Sequence, residues 1–153
     1  MALKPDRIEH LTDISFFMNT PTGDQGRGGV ASFVSGGVGV AMDDADAVVE
    51  YAALASGSVP AGILLNDVVN LDLTRQHINW HKDEVQVGGK VTLLRVGQVT
   101  TNLVDGNPSA GDAAYVGPSG TVSTSSGTDV VKIGTFLSGK DADGYAKVSV
   151  NIQ

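Results

Sequence analysis

Cysteine is absent from this chain of 153 residues, and aromatic residues make up only 5% of it. The lack of cysteine excludes disulfides and thiolate metal sites. With so few large rings, a hydrophobic core has to be built from Val, Leu, Ile and Ala. No apolar run approaches the ~20 residues that a membrane span needs. The first ten residues are charged and lack the apolar stretch of a signal peptide, so we expect synthesis in a cytoplasm and no membrane partner.

Basic residues are also fewer than acidic residues. The chain has 10 Lys and Arg against 17 Asp and Glu, which gives a formal net charge of −7. A nucleic-acid surface needs clustered positive charge to displace counterions from phosphate, and here the basic residues are scattered. We therefore expect no direct nucleic-acid partner.

Glycine is abundant instead, with 20 residues that fall between short apolar runs. Such spacing is typical of short strands joined by tight turns. The final segment, Tyr145 to Ile152, alternates apolar and polar residues as a half-buried strand does. The pattern predicts an all-β fold, a single β-sandwich or β-barrel-like domain of short strands with an extended N-terminal arm.

Individual segments give more detailed expectations. Gly89–Thr101 and Gly111–Thr124 each read as a strand, a glycine turn and a strand, so they form a weak internal repeat of two hairpins. Further expected elements are, in chain order, strands at Val30–Val34 and Val38–Met42 around a Gly36–Gly37 turn, a strand within Asp43–Ser56, one or two buried strands in Ala61–Leu73, and a surface loop at Arg75–Glu84. Within Asp43–Ser56 the alanine and acidic residues also allow a short helix, and the strand is favoured.

Residues 1–29 differ in texture from the β domain predicted for residues 30–153. They are polar apart from a short apolar patch that comprises Ile14, Phe16, Phe17 and Met18. An apolar patch between flexible flanks predicts an N-terminal arm that binds a partner. The alternative is that the segment packs on its own core as an edge segment, and the sequence leaves both open.

Motifs that could carry chemistry are incomplete. His77 and His81 have the spacing of a zinc-binding pair, but Ile78 stands where the metalloprotease motif has its catalytic Glu. Asp141–Gly144 resembles the start of a calcium loop, yet Ile152 occupies the position of the final acidic ligand, so a β-turn is expected there. Gly23–Gly29 lacks the Lys-Ser or Lys-Thr ending of a phosphate loop. We expect no enzyme activity, no metal and no cofactor.

Four segments share features of one sequence pattern, and they are Pro60–Val68, Gly88–Val91, Gly111–Val116 and Ile133–Leu137. In this pattern a Gly-Asp pair begins a strand, a Ser-Gly or Asp-Gly tip reverses it and an Ile-Gly-x-x-Leu strand follows. With these segments the chain resembles bacteriophage head-decoration (cement) proteins.

The resemblance implies a protein that binds the outer surface of an assembled phage head and stabilises contacts between coat subunits. It implies the major capsid protein and the chain itself as partners, with a homotrimer favoured over a dimer, and a location on the virion exterior after synthesis in the host cytoplasm. The expected interface residues are Ile14, Phe16, Phe17, Met18 and Trp80. Phe16, Phe17 and Trp80 are the expected anchors among them, because buried aromatic side chains dominate interface energy.

One alternative function is an adhesive or tail-fibre-type β domain that binds a carbohydrate or protein receptor. A trimeric nucleotide pyrophosphatase of similar length is a weaker alternative, because the Gly-Tyr-Asp and Arg-Ser-Gly motifs that such enzymes need do not occur in the sequence.

Overall fold

The computed structural model describes residues 2–34, 47–70 and 83–153. Helical geometry in these residues is confined to two short 3-10 turns, Gly23–Gln25 and Pro118–Gly120. The strands are β1 (Ile8–Met18), β2 (Val30–Val34), β3 (Val48–Glu50), β4 (Pro60–Leu64), β5 (Asp67–Val69), β6 (Glu84–Gln86), β7 (Lys90–Thr101), β8 (Val104–Asp105), β9 (Ala113–Val116), β10 (Val122–Ser123), β11 (Lys132–Phe136) and β12 (Ala146–Asn151). The all-β prediction is confirmed.

Strand β7 is the central strand of the fold. Along one edge it pairs antiparallel with β1, from Phe17 opposite Lys90 to Ile8 opposite Gln98. Along the other edge it pairs first with β4, at Leu93 and Leu94, and then with β12 as far as Thr101. Because β7 is twelve residues long, it connects two groups of strands that would otherwise be separate.

The first group closes into a ring. Strand β1 pairs with β3, β3 with β2, β2 with β4, β4 with β7, and β7 again with β1. The second group continues from β7 as an open sheet in the order β12, β11, β9, β10, β8. Strands β5 and β6 form a separate parallel pair. The architecture is therefore barrel-like on one side of β7 and an open sheet on the other.

The strands around β7 separate two cores. Ile63 and Leu94 point into the larger core, which the open sheet covers, whereas Leu64 and Leu93 point into the smaller core inside the ring. All five residues of β4 are consequently buried. A strand buried on both faces has a nearly continuous apolar sequence rather than an alternating one, which accounts for the run Pro60–Leu64.

The predicted hairpin at Gly89–Thr101 is wrong, because this segment is the uninterrupted strand β7. Gly97 does not reverse the chain there. A Cβ atom at Gly97 would lie 2.1 Å from the backbone oxygen of Ile8, so glycine is needed for the close approach of β1. The internal repeat of two hairpins is therefore also wrong.

Other local predictions are confirmed. Strands β9 and β10 form the hairpin expected at Gly111–Thr124, with Ser119 and Gly120 at positive φ in the turn. Asp141–Gly144 is a β-turn closed by a 3.0 Å hydrogen bond from Gly144 N–H to the Asp141 carbonyl. In β12 the residues Val148, Val150 and the following Ile152 share the buried face.

The segment predicted as Asp43–Ser56 contains β3, and the segment Ala61–Leu73 contains most of β4 and all of β5. Several predicted features lie outside the described residues. These are the Val38–Met42 strand with its glycine turn, the His77–His81 pair, and residues 75–82 of the predicted surface loop.

The N-terminal segment packs on its own body in this structure. Besides the pairing of β1, Leu3 is buried in the larger core and forms a bridge with Thr101. The sequence left two alternatives open, and the structure shows the second one, in which the segment packs on the chain's own core. Whether residues 1–29 also act as an arm on a partner stays a prediction.

Tyr51 connects the ring of strands to the open sheet through side-chain contacts. Its hydroxyl donates to the Gly26 carbonyl at 2.8 Å and accepts the Gly29 N–H at 3.1 Å. The aromatic ring of Tyr51 packs closely against Gly120 in the β9–β10 turn. A Cβ atom on Gly120 would lie 2.5 Å from a carbon of that aromatic ring. Burial of the hydroxyl raises the pKa of Tyr51 well above its ordinary range, so the group stays a neutral donor.

We expect Gly97→Ala to destabilise the protein by roughly 2 kcal/mol or more, since the added methyl group must push the β1 backbone away from β7. The matched control is Gly139→Ala in an exposed turn, where the nearest atom would be 3.2 Å away, with an expected cost of about 0.5 kcal/mol. Urea denaturation measures both, and amide hydrogen exchange should show lost protection in β1. Equal costs for the two variants would contradict the assigned role of Gly97.

Removing the Tyr51 hydroxyl leaves the buried Gly29 N–H and the half-buried Gly26 carbonyl without their partner. We expect Tyr51→Phe to cost about 1–3 kcal/mol in the free energy of unfolding. Tyr115→Phe is the control, because no hydrogen bond of the Tyr115 hydroxyl is found in the described residues, and it should be close to neutral. An unchanged free energy of unfolding in Tyr51→Phe would show that the two hydrogen bonds of this hydroxyl do not stabilise the fold.

Candidate interaction surface

The structure divides the predicted interface residues by exposure. Ile14 is 64% exposed. Phe16 is half-buried and packs edge-on against Phe33, with 5.3 Å between ring centroids. Phe17 and Met18 are buried against the chain's own core. Ile14 and Phe16 are therefore the accessible members of this set on β1.

The buried pair holds the end of β1 in place. Phe17 packs against Val48 of β3, and Met18 belongs to the smaller core. The Lys90 ammonium lies 5.5 Å from the centroid of the Phe17 ring. Trp80, the remaining predicted anchor, lies outside the described residues.

A bulge in β1 produces the exposure of Ile14. The register with β7 shifts between Asp13 and Phe16, so β1 carries one extra residue there. The Ser15 hydroxyl and N–H both donate to Asp13 Oδ1, and Arg95 Nη1 lies 3.8 Å from Asp13 Oδ2. The Ser15 hydroxyl, more than Arg95, lowers the pKa of Asp13. The carboxylate thus stays charged and fixes the bulge that projects Ile14 outward.

A second and larger surface lies on the side of β1, β7, β12 and β11 that faces away from the larger core. Residues paired across a ladder point to the same side of the sheet, so the pairings define three rows of outward side chains. The rows are Ile8–Gln98–Ser149–Thr135, Leu11–Val96–Asn151, and Thr100–Lys147–Leu137. We call these ten residues the outer face.

Burial confirms the direction of these side chains. Val148, Val150 and Phe136, which alternate with members of the outer face, are fully buried in the larger core. Ile8, Leu11 and Leu137 are 45%, 46% and 41% exposed. Apart from Thr100, which is buried, the outer face is therefore an accessible surface made chiefly of aliphatic and uncharged polar side chains.

A shallow groove of about 190 Å³ borders the outer face at Asn151. Val59 and Val131 contribute exposed apolar side chains to it, and Lys132 and Gln153 contribute polar ones. At the opposite corner the Thr100 hydroxyl donates to Asp6 Oδ2 at 3.4 Å. Among the described residues, the ten outer-face positions carry one charge, that of Lys147.

Sequence reasoning missed the outer face. The alternation in β12 indicated that Lys147, Ser149 and Asn151 point away from the core. Their partners on β7 lie far away in the chain, as in the pairing of Lys147 with Thr100, and no sequence pattern indicates those pairings.

Lys4, which precedes β1, contacts the turn between β11 and β12. Lys4 Nζ donates to Asp141 Oδ2 at 2.9 Å and lies 4.3 Å from the centroid of the Tyr145 ring. Asp141 also accepts the N–H groups of Tyr145 and Asp143. The Lys4 hydrogen bond is the main cause that lowers the pKa of Asp141, and the Tyr145 N–H is the next.

A cavity of about 560 Å³ lies between the Thr22–Gly26 loop, Asp67–Val69 and Asn102–Leu103. Asp67 accepts the Arg27 N–H at 2.7 Å, and Arg27 Nη1 lies 3.2 Å from Asp83. These carboxylates therefore have cationic or N–H partners. No group of three or more His, Asp or Glu side chains that could hold a metal ion occurs among the residues that the structure describes. In the same residues no helix is long and apolar enough to cross a bilayer.

We expect the pKa of Asp141 to rise in Lys4→Gln, yet to stay below its ordinary value because two N–H donors remain. A carboxyl group with a lowered pKa stabilises the folded state above its ordinary pKa, and this contribution disappears as the pH falls through the lowered value. NMR titration of the Asp141 side chain measures the shift, with Lys140→Gln as the control. An unchanged Asp141 pKa in Lys4→Gln would contradict the contact.

A family model that describes the XM1 gp53 minor capsid protein matches residues 11–151. No curated protein matches the chain. The matched range covers β1 to β12 almost completely, and it includes the outer face apart from Ile8. The chain belongs to the family of the XM1 gp53 minor capsid protein, and it is thus a capsid-associated structural protein of the phage virion.

Proposed function

We propose that the protein is a decoration, or cement, protein that binds the outer surface of an assembled phage head and stabilises contacts between coat subunits. Membership of a minor capsid protein family is the observation that carries this proposal. Its direct partner is then the major capsid protein, and its location is the capsid exterior.

The physical basis of such a function is linkage. A protein that binds the assembled lattice and not the free coat subunit shifts the assembly equilibrium toward the lattice. Many copies that each bind modestly can together contribute a large stabilisation. The function therefore requires accessible surface of suitable shape, and reactive groups are not needed.

Strand β1 contributes one such surface in this proposal. Ile14 projects 64% exposed from the bulge, and Phe16 lies half-buried beside Phe33. We propose that Ile14 and Phe16 contact the coat subunit, while Phe17 and Met18 fix the strand that presents them. Trp80 is retained as a predicted contact.

Self-association as a homotrimer completes the proposal. A cyclic trimer can place three equal contacts around a point where coat subunits meet, and closed cyclic symmetry is common among soluble oligomers. Sedimentation equilibrium of the purified protein tests this part independently of capsid binding.

The direct test uses heads of the encoding phage assembled without this protein. We expect the purified protein to co-sediment with these heads and not with unassembled coat protein, and to raise the temperature at which the heads dissociate. Equal binding to free coat protein, or no binding to heads, would refute the cement function. Carbohydrate affinity without head binding would support the adhesive, tail-fibre-type alternative.

The contribution of Ile14 is tested in the same assay. Loss of an exposed apolar anchor should weaken binding of Ile14→Ser to heads about tenfold, a change that corresponds to ~1.4 kcal/mol. Leu54→Ser is the matched control, since Leu54 is also exposed, at 74%, and lies in a loop away from β1. Identical affinities for the two variants would remove Ile14 from the interface.

A further inference from the structure

We infer that the outer face is the principal docking surface on the capsid, and that it binds an acidic surface of the assembled coat lattice. This inference rests on the proposed function and adds the face and the charge of its partner. It assigns the main contact to the open sheet, whereas the sequence had pointed to the apolar patch around Phe16 and Phe17.

The first observation is the distribution of exposed apolar side chains. Among the described residues eight large apolar side chains are exposed. Ile8, Leu11 and Leu137 lie on the outer face, and Val59 and Val131 line the groove at its border. An accessible apolar patch of this kind on a soluble protein usually marks a site of interaction.

The second observation is charge. The chain carries 17 acidic and 10 basic residues, yet the ten described positions of the outer face include Lys147 and no carboxylate. Lys132 adds a second positive charge at the border, and Asp6 lies at one corner. Depletion of charge is typical of the centre of a protein interface. The residual charge is positive, which complements an acidic partner.

The same charge argues against a second copy as the occupant in a face-to-face dimer. A two-fold interface brings the same patch of both subunits together. Lys132 and Lys147 of both copies would then lie in one interface, and like charges there are unfavourable.

Addition of a partner strand to the edge of β1 is also less suited to this chain. The β1–β7 ladder shifts register three times between Glu9 and Phe16. Bulges of this kind interrupt the regular row of N–H and carbonyl groups that a new strand would need. Contact through the sheet face does not depend on that row.

The size of the outer face fits a repeated contact. Four strands spaced ~4.8 Å apart and three rows spaced ~7 Å apart give a patch of roughly 15–20 Å in each direction. Its area is therefore smaller than the ~800 Å² that each partner contributes to a standard interface. A single copy therefore binds modestly, and stable occupancy comes from several linked contacts on the lattice.

A carboxylate placed at the centre of the face tests the inference. We expect Ser149→Glu to weaken binding to heads about tenfold or more, because it inserts a negative charge among apolar contacts opposite an acidic surface. The control Ser126→Glu adds the same charge in an exposed loop and should bind as the unmodified protein does. Circular dichroism and thermal denaturation establish that each variant is folded.

Removal of the positive charge gives a second, milder test that leaves the fold intact. Lys147→Gln should bind heads about three- to tenfold more weakly and show a smaller loss of affinity as salt is raised, whereas Lys140→Gln, in an exposed turn, should not differ from the unmodified protein. Affinity that is independent of salt would exclude an acidic occupant.

The outcomes separate this inference from the proposed function. If the unmodified protein does not bind heads, the cement function fails. If it binds, and Ser149→Glu and Lys147→Gln bind as well as their controls, the outer face fails while the cement function stands. If Ser149→Glu changes the oligomeric state instead of head binding, the occupant is a second copy and the inference is wrong.

Discussion

The hydrogen bonding of β7 along both edges is the interaction on which the structure depends. One edge is occupied by β1, and the other is shared between β4 and β12. This arrangement closes the ring, extends the open sheet and separates the two cores with a single strand. It also sets β1 beside β12 across β7, so Ile8 and Leu11 come onto the same surface as Ser149 and Asn151.

Glycine makes the arrangement sterically possible at its closest points. The backbone of β1 approaches Gly97 of β7, and the backbone of β12 approaches Gly134 of β11, where a Cβ atom would lie 1.8 Å from the Ser149 oxygen. In this chain glycine therefore serves close strand packing as well as turns. The two uses have the same appearance in a sequence, which explains why Gly89–Thr101 was interpreted as a hairpin.

Predictions that rest on local chemistry were the ones confirmed. The alternation from Tyr145 to Ile152, the turn at Asp141–Gly144 and the hairpin at Gly111–Thr124 each depend on neighbouring residues, and the structure contains all three. The pairing of β1 with β7 joins residues about 80 positions apart, and local patterns do not encode it. For the same reason the apolar patch around Phe17 was recognised from sequence, but the burial of Phe17 and the existence of the outer face were not.

Family membership establishes a capsid-associated protein, and the arrangement of its surface suggests how such a protein attaches. In our proposal the weakly basic and partly apolar outer face is the surface available to a lattice of opposite charge. The bulge that exposes Ile14 lies on β1, and Ile14 is the second contact that we propose. Attachment by these two surfaces needs no rearrangement of the core.

Electron cryo-microscopy of heads saturated with the protein tests the central claim most directly, because it gives the orientation of each bound copy. The account predicts that β7 and β12 lie against the coat lattice, with Gln98 and Ser149 within the contact and acidic coat residues opposite Lys147. A map in which the outer face points to solvent, or in which the protein is absent from the capsid exterior, would contradict it.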